Sequence, residues 1–188
     1  MPQLLGIFYE IIMLALAYAL FFKILDERTR YYLLHLSTLI LLSEIFGSSV
    51  GLATYNQDMF SLYLARVPLI MPFTWFVYFG LSLMLTKGRL IYLKAFIAGM
   101  FFDSVIELPM IYNGAWSNNF GNIQIIEGYP LILLILYGFN VLWFKTLFDY
   151  LVPRLESRKI RSAGLLFAFV YIPSHLILST LLVILIPI

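Results

Sequence analysis

The sequence predicts an all-α fold, a polytopic membrane helix bundle of about six transmembrane helices in a single domain covering residues 1–188. Of the 188 residues, 62% are hydrophobic and only 12% are charged, which leaves too few polar side chains to cover a water-soluble surface. Apolar runs of roughly 20 residues, the length that crosses a hydrocarbon core about 30 Å thick, alternate with short polar breaks. We therefore expect a multi-pass protein of the cell membrane that contacts membrane lipids.

The six predicted spans are, in chain order, 4–25, 31–54, 67–86, 90–111, 128–150 and 162–188. Eleven of the twelve Lys and Arg residues lie in or beside the first, third and fifth connections, and only Arg66 lies in an even-numbered connection. Because cytoplasmic loops carry an excess of Lys and Arg, both termini are predicted on the non-cytoplasmic side. The even-numbered connections, 55–66 and 112–127, would then be external. The first apolar run lacks a basic leader and a small-residue cleavage site, so it is predicted to be a retained helix.

The residue inventory excludes several classes of chemistry. The chain has no cysteine and two histidines, which argues against disulfides, thiolate catalysis, iron–sulfur clusters and multi-histidine metal sites. No phosphate-binding loop or dinucleotide fingerprint is present, and a net charge of +2 gives no reason to expect nucleic acid. The sequence predicts no metal and no cofactor. It leaves assembly into a homo-oligomer open.

Three acidic residues inside the apolar runs are the strongest functional signal. Glu44 lies in LSEIFGSSVG, and Asp103 and Glu107 lie in FFDSVIELP, where a carboxyl group costs at least a few kcal/mol unless it is paired, protonated or hydrated. At about 1.5 Å per helical residue, Glu44, Asp103 and His175 each lie roughly 20 Å from the inner surface. Glu107 lies one turn beyond Asp103 on the same helix face. We therefore predict that these side chains meet at one level of the bundle.

A purely structural interpretation competes with this one. A single intramembrane acid can be protonated and hydrogen-bonded between helices, and His175 follows Pro173 in a helix whose kink would leave a carbonyl to satisfy. Glu10 lies near a helix end and is predicted to reach the interface. Three acids together favour a functional site, in which aromatic faces could stabilise a cation. The aromatic candidates for such a pocket are Tyr55, Trp75, Tyr112, Trp116, Tyr137 and Trp143.

The short motifs between Glu44 and Trp143 occur in an order that resembles that of a known family. These motifs are Glu44-Ile-Phe-Gly47 with Gly51 and Tyr55, Val67 to Trp75, Asp103 with Glu107-Leu-Pro109, Trp116, and a Tyr-Pro stretch that leads to Tyr-Gly-Phe-Asn140. In combination they are similar to the membrane carotenoid biosynthesis family typified by bisanhydrobacterioruberin hydratase and carotenoid 1,2-hydratases.

The resemblance implies a hydro-lyase that hydrates a terminal double bond of an apolar isoprenoid or carotenoid substrate. Asp103 or Glu107 would protonate the alkene, and Glu44 would help to hold the proton or the water. A proton on the less substituted carbon gives a tertiary cation, which water captures with the help of a second carboxylate. The residues expected to contact the substrate are Tyr55, Trp75, Trp116, Tyr137, Asn140 and His175.

Two other functions fit the same residues. A polyprenoid or sterol-like lipid isomerase or cyclase would use the same acid and cation but exclude water from the capture step. A proton-coupled transporter would also place acids and a histidine at mid-depth on several helices, although the chain has no inverted repeat.

Overall fold

The computed structural model describes residues 2–118 and 123–155, together with Lys159, Phe169 and Ile177. The helices of this part of the chain are α1 Pro2–Ala19, α2 Glu27–Ser49, α3 Met71–Leu85, α4 Ile91–Tyr112 and α5 Leu131–Leu151. A π-helical turn, Leu20–Ile24, extends α1, and a 3₁₀ turn, Val152–Arg154, follows α5. The predominantly helical fold is therefore confirmed. The predicted sixth span, 162–188, lies outside the described residues except for Phe169 and Ile177.

Four helices of the described part are long and apolar enough to cross a membrane: Gln3–Ile24, Glu27–Ser49, Ile91–Tyr112 and Leu131–Arg154. The fifth, α3, has fifteen residues, of which ten are buried. Fifteen residues give a helix of about 22 Å, shorter than the roughly 30 Å hydrocarbon core. Helix α3 packs against α1, α2, α4 and α5, so it forms the centre of the bundle.

Short strands that the sequence does not predict lie in or beside both even-numbered connections. These strands are β1 Ala53–Tyr55, β2 Tyr63–Leu64, β3 Val67–Pro68, β4 Trp116–Asn118, β5 Gln124–Ile126 and β6 Tyr129–Pro130. They form three antiparallel pairs, β1 with β4, β2 with β3 and β5 with β6. Because β1 and β4 come from different connections, their pairing joins the two connections over one end of the bundle. We call this end the hairpin end.

Three predicted helix boundaries are corrected by these strands. Helix α2 ends at Ser49 instead of residue 54, because Gly51 adopts a left-handed backbone with φ of +79° and turns the chain into β1. Helix α3 begins at Met71 instead of residue 67, because Val67 and Pro68 pair with β2. Helix α5 likewise begins at Leu131 instead of residue 128.

Helix α1 is attached to the hairpin end near its start. The Glu10 carboxylate accepts hydrogen bonds from the Ser61 backbone N–H at 2.8 Å and from the Ser61 hydroxyl at 2.5 Å. A Cβ atom on Gly6 would lie 1.8 Å from the carbonyl oxygen of Met59, so glycine is required where α1 meets this connection. Glu10 thus binds a connecting segment, but it lies in the middle of α1 and not near a helix end as predicted.

Candidate functional site

Glu44 joins α2 to two other elements. Its side chain lies in the last two turns of α2, beside α3 and below the chain that returns through β1. One carboxylate oxygen, Oε2, accepts a hydrogen bond from the Tyr55 hydroxyl at 2.6 Å, and the other, Oε1, accepts one from the Trp75 indole N–H at 2.9 Å. Burial and the adjacent Glu44 carboxyl raise the pKa of Tyr55 well above its usual value, so the phenol remains a donor.

Glu107 joins α4 to α5 and β4. Its Oε1 atom accepts a hydrogen bond from the Tyr137 hydroxyl at 2.8 Å. Its Oε2 atom accepts two further bonds, from the Trp116 indole N–H at 3.3 Å and from the Asn118 amide at 3.4 Å. The chain turns directly after α4, so β4 folds back over the helix that carries Glu107. These three neutral donors offset part of the cost of ionising a buried carboxyl group.

Two ring contacts link these carboxyl groups to each other. Trp75 and Tyr137 are stacked with centroids 5.4 Å apart and planes 12° from parallel. Tyr55 and Trp116 lie 6.2 Å apart. Hydrogen bonds and ring contacts therefore close a circuit of alternating acid and aromatic residues. We call this circuit the acid–aromatic ring, and its members are Glu44, Trp75, Tyr137, Glu107, Trp116 and Tyr55.

Asp103 lies one helical turn from Glu107 and is only 1% exposed. Its Oδ2 atom accepts a hydrogen bond from the Tyr129 hydroxyl in β6, and burial raises the pKa of Tyr129, which keeps the phenol protonated. Its Oδ1 atom is buried and has no hydrogen-bond partner among the described residues. Asp103 thus differs from Glu107, because only one of its two oxygens accepts a hydrogen bond from the described residues.

The described part of the chain contains no Lys or Arg paired with these acids. A salt bridge joins Lys145 to Asp149 on α5. Three carboxyl groups without a cation would repel one another if all were ionised, and the donors around them are neutral phenol, indole and amide groups. This arrangement favours a site that holds at least one exchangeable proton.

Helix α1 packs against the acid–aromatic ring through Tyr9. The Tyr9 hydroxyl and the Thr74 hydroxyl are hydrogen-bonded at 3.0 Å. The Tyr9 ring packs edge-on against Trp116 at 5.8 Å, and Phe60 stacks on the same indole at 6.0 Å. Trp116 is consequently held on both sides, which fixes the direction of its N–H toward Glu107.

The structure brings seven of the nine predicted site residues together: Glu44, Tyr55, Trp75, Asp103, Glu107, Trp116 and Tyr137. Asn140 is buried on α5, three residues beyond Tyr137, but it is not part of the acid–aromatic ring. His175 lies outside the described residues. Two other aromatic candidates point away from the ring, because Tyr112 is 80% exposed and Trp143 is 41% exposed.

Sequence reasoning missed Tyr129 and Asn118, the donors to Asp103 and Glu107. Asn118 lies in a predicted external connection, and Tyr129 lies at the start of a predicted helix. Tyr129 lies between Gly128 and Pro130, a combination that signals a turn before a helix. That signal marks a boundary, but it does not reveal that the phenol faces Asp103.

Comparisons with protein-family models, with curated proteins and with solved structures find no match to this chain. The chemistry of the site is therefore argued from its own residues.

Proposed function

We propose that this protein is a multi-pass enzyme of the cell membrane that hydrates a terminal carbon–carbon double bond of an isoprenoid or carotenoid. The observation that carries the proposal is the acid–aromatic ring with Asp103 beside it. Hydration of an unactivated alkene needs a proton donor, a base for the attacking water and a cation-tolerant wall between them. The ring and Asp103 offer groups suited to all three tasks within one part of the bundle.

The membrane location is supported by the four apolar helices of spanning length. It is also supported by the charge distribution, because basic residues lie at the start of α2 (Arg28) and in the connection after α3 (Lys87 and Arg89), whereas the hairpin end has Arg66. By the positive-inside rule, the hairpin end faces away from the cytoplasm. The proposed site then lies in the outer half of the bilayer.

Asp103 is the proposed acid. One of its oxygens has no donor among the described residues, and that oxygen can carry the proton that the alkene takes up. The π electrons of the double bond form a C–H bond at the less substituted carbon, and a tertiary carbocation remains at the neighbouring carbon. Asp103 is left as a carboxylate that still accepts the Tyr129 hydrogen bond.

Glu107 is the proposed base. Its three hydrogen-bond donors offset part of the cost of ionising a buried carboxyl group, and the carboxylate is the form that can take a proton from water. As the water oxygen bonds to the cationic carbon, one of its protons passes to Glu107. Transfer of that proton from Glu107 to Asp103, one helical turn away, restores the starting state without any other reactant.

The aromatic members of the ring are the proposed stabilisers of the cation. Trp75 and Tyr137 present parallel ring faces, and their polar atoms are directed toward Glu44 and Glu107. A cation next to such faces is stabilised by about 0.5–2 kcal/mol per ring. Glu44 adds a second carboxyl group, which binds the Trp75 ring of the stack, whereas Glu107 binds the Tyr137 ring.

Turnover of open-chain carotenoids by the purified protein in ¹⁸O-labelled water tests the proposal. We expect a product with ¹⁸O on the tertiary carbon. Asp103→Asn and Glu107→Gln should each keep the fold and lose about 10²- to 10⁴-fold in turnover, because an amide cannot donate or accept the proton. Glu10→Gln is the matched control, since Glu10 binds Ser61 outside the ring, and it should retain activity.

Full hydration activity in both amide variants would contradict acid catalysis by this site. Turnover without incorporation of ¹⁸O would instead identify an isomerase or cyclase, which uses the same acid but loses a proton from the cation instead of adding water.

A further inference from the structure

A cavity of about 900 Å³ lies at the hairpin end, between β1, β4 and the β5–β6 hairpin. Its wall combines apolar and polar groups, and the polar side chains that line it are Thr54, Asn56, Ser117, Asn118, Gln124 and Glu127. A cavity of this size with these polar groups in its wall can hold water, since each water needs about 30 Å³ and two to four polar partners.

Three residues of the cavity wall also bind the carboxyl groups of the site. Tyr55, Trp116 and Asn118 line the cavity, and the polar atom of each donates a hydrogen bond to Glu44 or Glu107. One layer of side chains therefore separates the cavity from both glutamates. Asp103 does not line the cavity and is 1% exposed.

From this arrangement we infer that the cavity is the water entrance of the site, which delivers water to Glu107 through Asn118 and keeps it from Asp103. The inference rests on the proposed function, because it names the route of the second substrate. The entering water forms the C–O bond to the tertiary carbon and gives one proton to Glu107. The buried acid meanwhile stays dry, so its proton goes to the alkene and is not exchanged with solvent first.

Asn118 is the positioning residue of this entrance. Its amide group donates to Glu107 Oε2 at 3.4 Å while its side chain forms part of the cavity wall. A water that replaces this long hydrogen bond would bind the same carboxylate oxygen. An apolar residue of similar size at position 118 would close the route without changing Asp103 or Glu44.

A labelling experiment tests whether the cavity contains water, independently of catalysis. The chain has no cysteine, so Ser117→Cys and Ser82→Cys each create a single thiol. Ser117 lines the cavity, whereas Ser82 is 0% exposed in α3. In purified protein in detergent, a small water-soluble methanethiosulfonate should modify the thiol at position 117 and leave that at position 82 unmodified. Failure to label position 117 would overturn the inference.

A product analysis tests whether the water is used. When water cannot reach the cation, the cation loses a proton from a neighbouring carbon, and the alkene is isomerised instead of hydrated. Asn118→Leu should therefore shift the ratio of hydrated to isomerised product by roughly tenfold toward the isomer. Asn113→Leu, which changes an exposed asparagine outside the cavity, should leave the ratio unchanged.

An unchanged ratio in Asn118→Leu would reject the entrance while leaving the proposed function intact. A wild-type protein that consumes no isoprenoid would reject the proposed function and the catalytic use of the cavity together. In that case the labelling result would still decide whether the cavity holds water.

Discussion

Trp75 and Tyr137 stack face to face, and each donates its polar hydrogen to a different carboxylate. The indole N–H binds Glu44 at 2.9 Å, and the phenol binds Glu107 at 2.8 Å, while the ring centroids lie 5.4 Å apart. Because Trp75 is on α3 and Tyr137 is on α5, this one contact aligns acids from α2 and α4. A movement of either ring would therefore disturb both carboxyl groups.

Trp75→Phe and Tyr137→Phe each keep an aromatic ring and remove one donor. We expect each variant to fold, to lose about 1 kcal/mol of stability through the missing hydrogen bond, and to lose roughly tenfold or more in turnover because a carboxyl group is no longer oriented. Thermal unfolding in detergent and the assay of alkene hydration measure the two effects. Trp143→Phe, a change at a 41% exposed residue, is the control. Equal activity of all three variants would exclude the stack from the site.

The close approach of α4 and α5 that brings Tyr137 to Glu107 depends on Gly99. A Cβ atom at this position would lie 2.4 Å from the carbonyl oxygen of Tyr137 and 2.9 Å from the Cα of Gly138. Both are backbone atoms, so the helices would have to move apart. We expect Gly99→Ala to destabilise the protein by about 1–3 kcal/mol and to reduce turnover, because the Tyr137 hydroxyl would move away from Glu107.

Gly47→Ala is the matched control for Gly99→Ala. Gly47 is also inside a helix, but no neighbouring atom lies within 4 Å of the position that an added methyl group would take. The substitution should leave stability unchanged or raise it by up to about 1 kcal/mol, as expected for alanine in a helix. Thermal unfolding of both variants in the same detergent compares them. If Gly99→Ala were as stable as Gly47→Ala, the tight contact between α4 and α5 would be contradicted.

Asp26 provides a pH-dependent prediction at the start of α2. Its carboxylate accepts hydrogen bonds from the backbone N–H groups of Arg28 and Thr29 at 3.0 and 3.1 Å, and from the Thr29 hydroxyl at 2.5 Å. Partial burial opposes ionisation, but these hydrogen bonds outweigh it and lower the pKa of Asp26 below its ordinary value. A lowered pKa means that the stabilisation is present above the unfolded-state pKa and is lost as the pH falls through the folded-state value.

We expect Asp26→Ala to cost about 1 kcal/mol of stability at pH 7, as is typical for loss of an N-cap. Asp26→Asn should retain most of the cap, because asparagine is a comparable N-cap residue and does not titrate in this range. The free energy of unfolding should therefore be measured for both proteins at pH 7 and near pH 3. The difference between wild type and Asp26→Ala should be smaller at the lower pH. A difference between wild type and Asp26→Ala that stays constant with pH would contradict the cap.

The sequence could predict the features that depend on the local pattern of apolar residues and on the free-energy cost of placing a carboxyl group in hydrocarbon. The apolar runs predict the four helices of spanning length, and the cost of carboxyl groups in hydrocarbon singles out Glu44, Asp103 and Glu107. Depth along each helix places these acids at a similar level. None of these steps needs knowledge of which residues distant in the chain become neighbours.

The remaining features depend on pairing across long sequence separations. The sequence predicts Thr54 as the end of a helix, yet this residue lies in β1 opposite Ser117 of β4, and a three-residue strand leaves no clear alternation to recognise. Asn118 reaches Glu107, and Tyr129 reaches Asp103, only because the connection between α4 and α5 folds back over the end of the bundle. A polar residue in a loop is normally expected to face solvent, so nothing local distinguishes these two donors.

The orientation in the membrane gives the last prediction. The basic residues of the connections after α1 and α3 predict that those connections lie in the cytoplasm and the hairpin end outside. Asp58 and Lys87 are both exposed, Asp58 at the hairpin end and Lys87 in the connection after α3. In the cysteine-free chain, Asp58→Cys should react with a membrane-impermeant maleimide in intact cells, and Lys87→Cys should react only after the membrane is permeabilised. A tag at either terminus should likewise be accessible from outside the cytoplasm. The reverse labelling pattern would place the polar cavity and the acids on the cytoplasmic side, and water would then reach Glu107 from the cytoplasm.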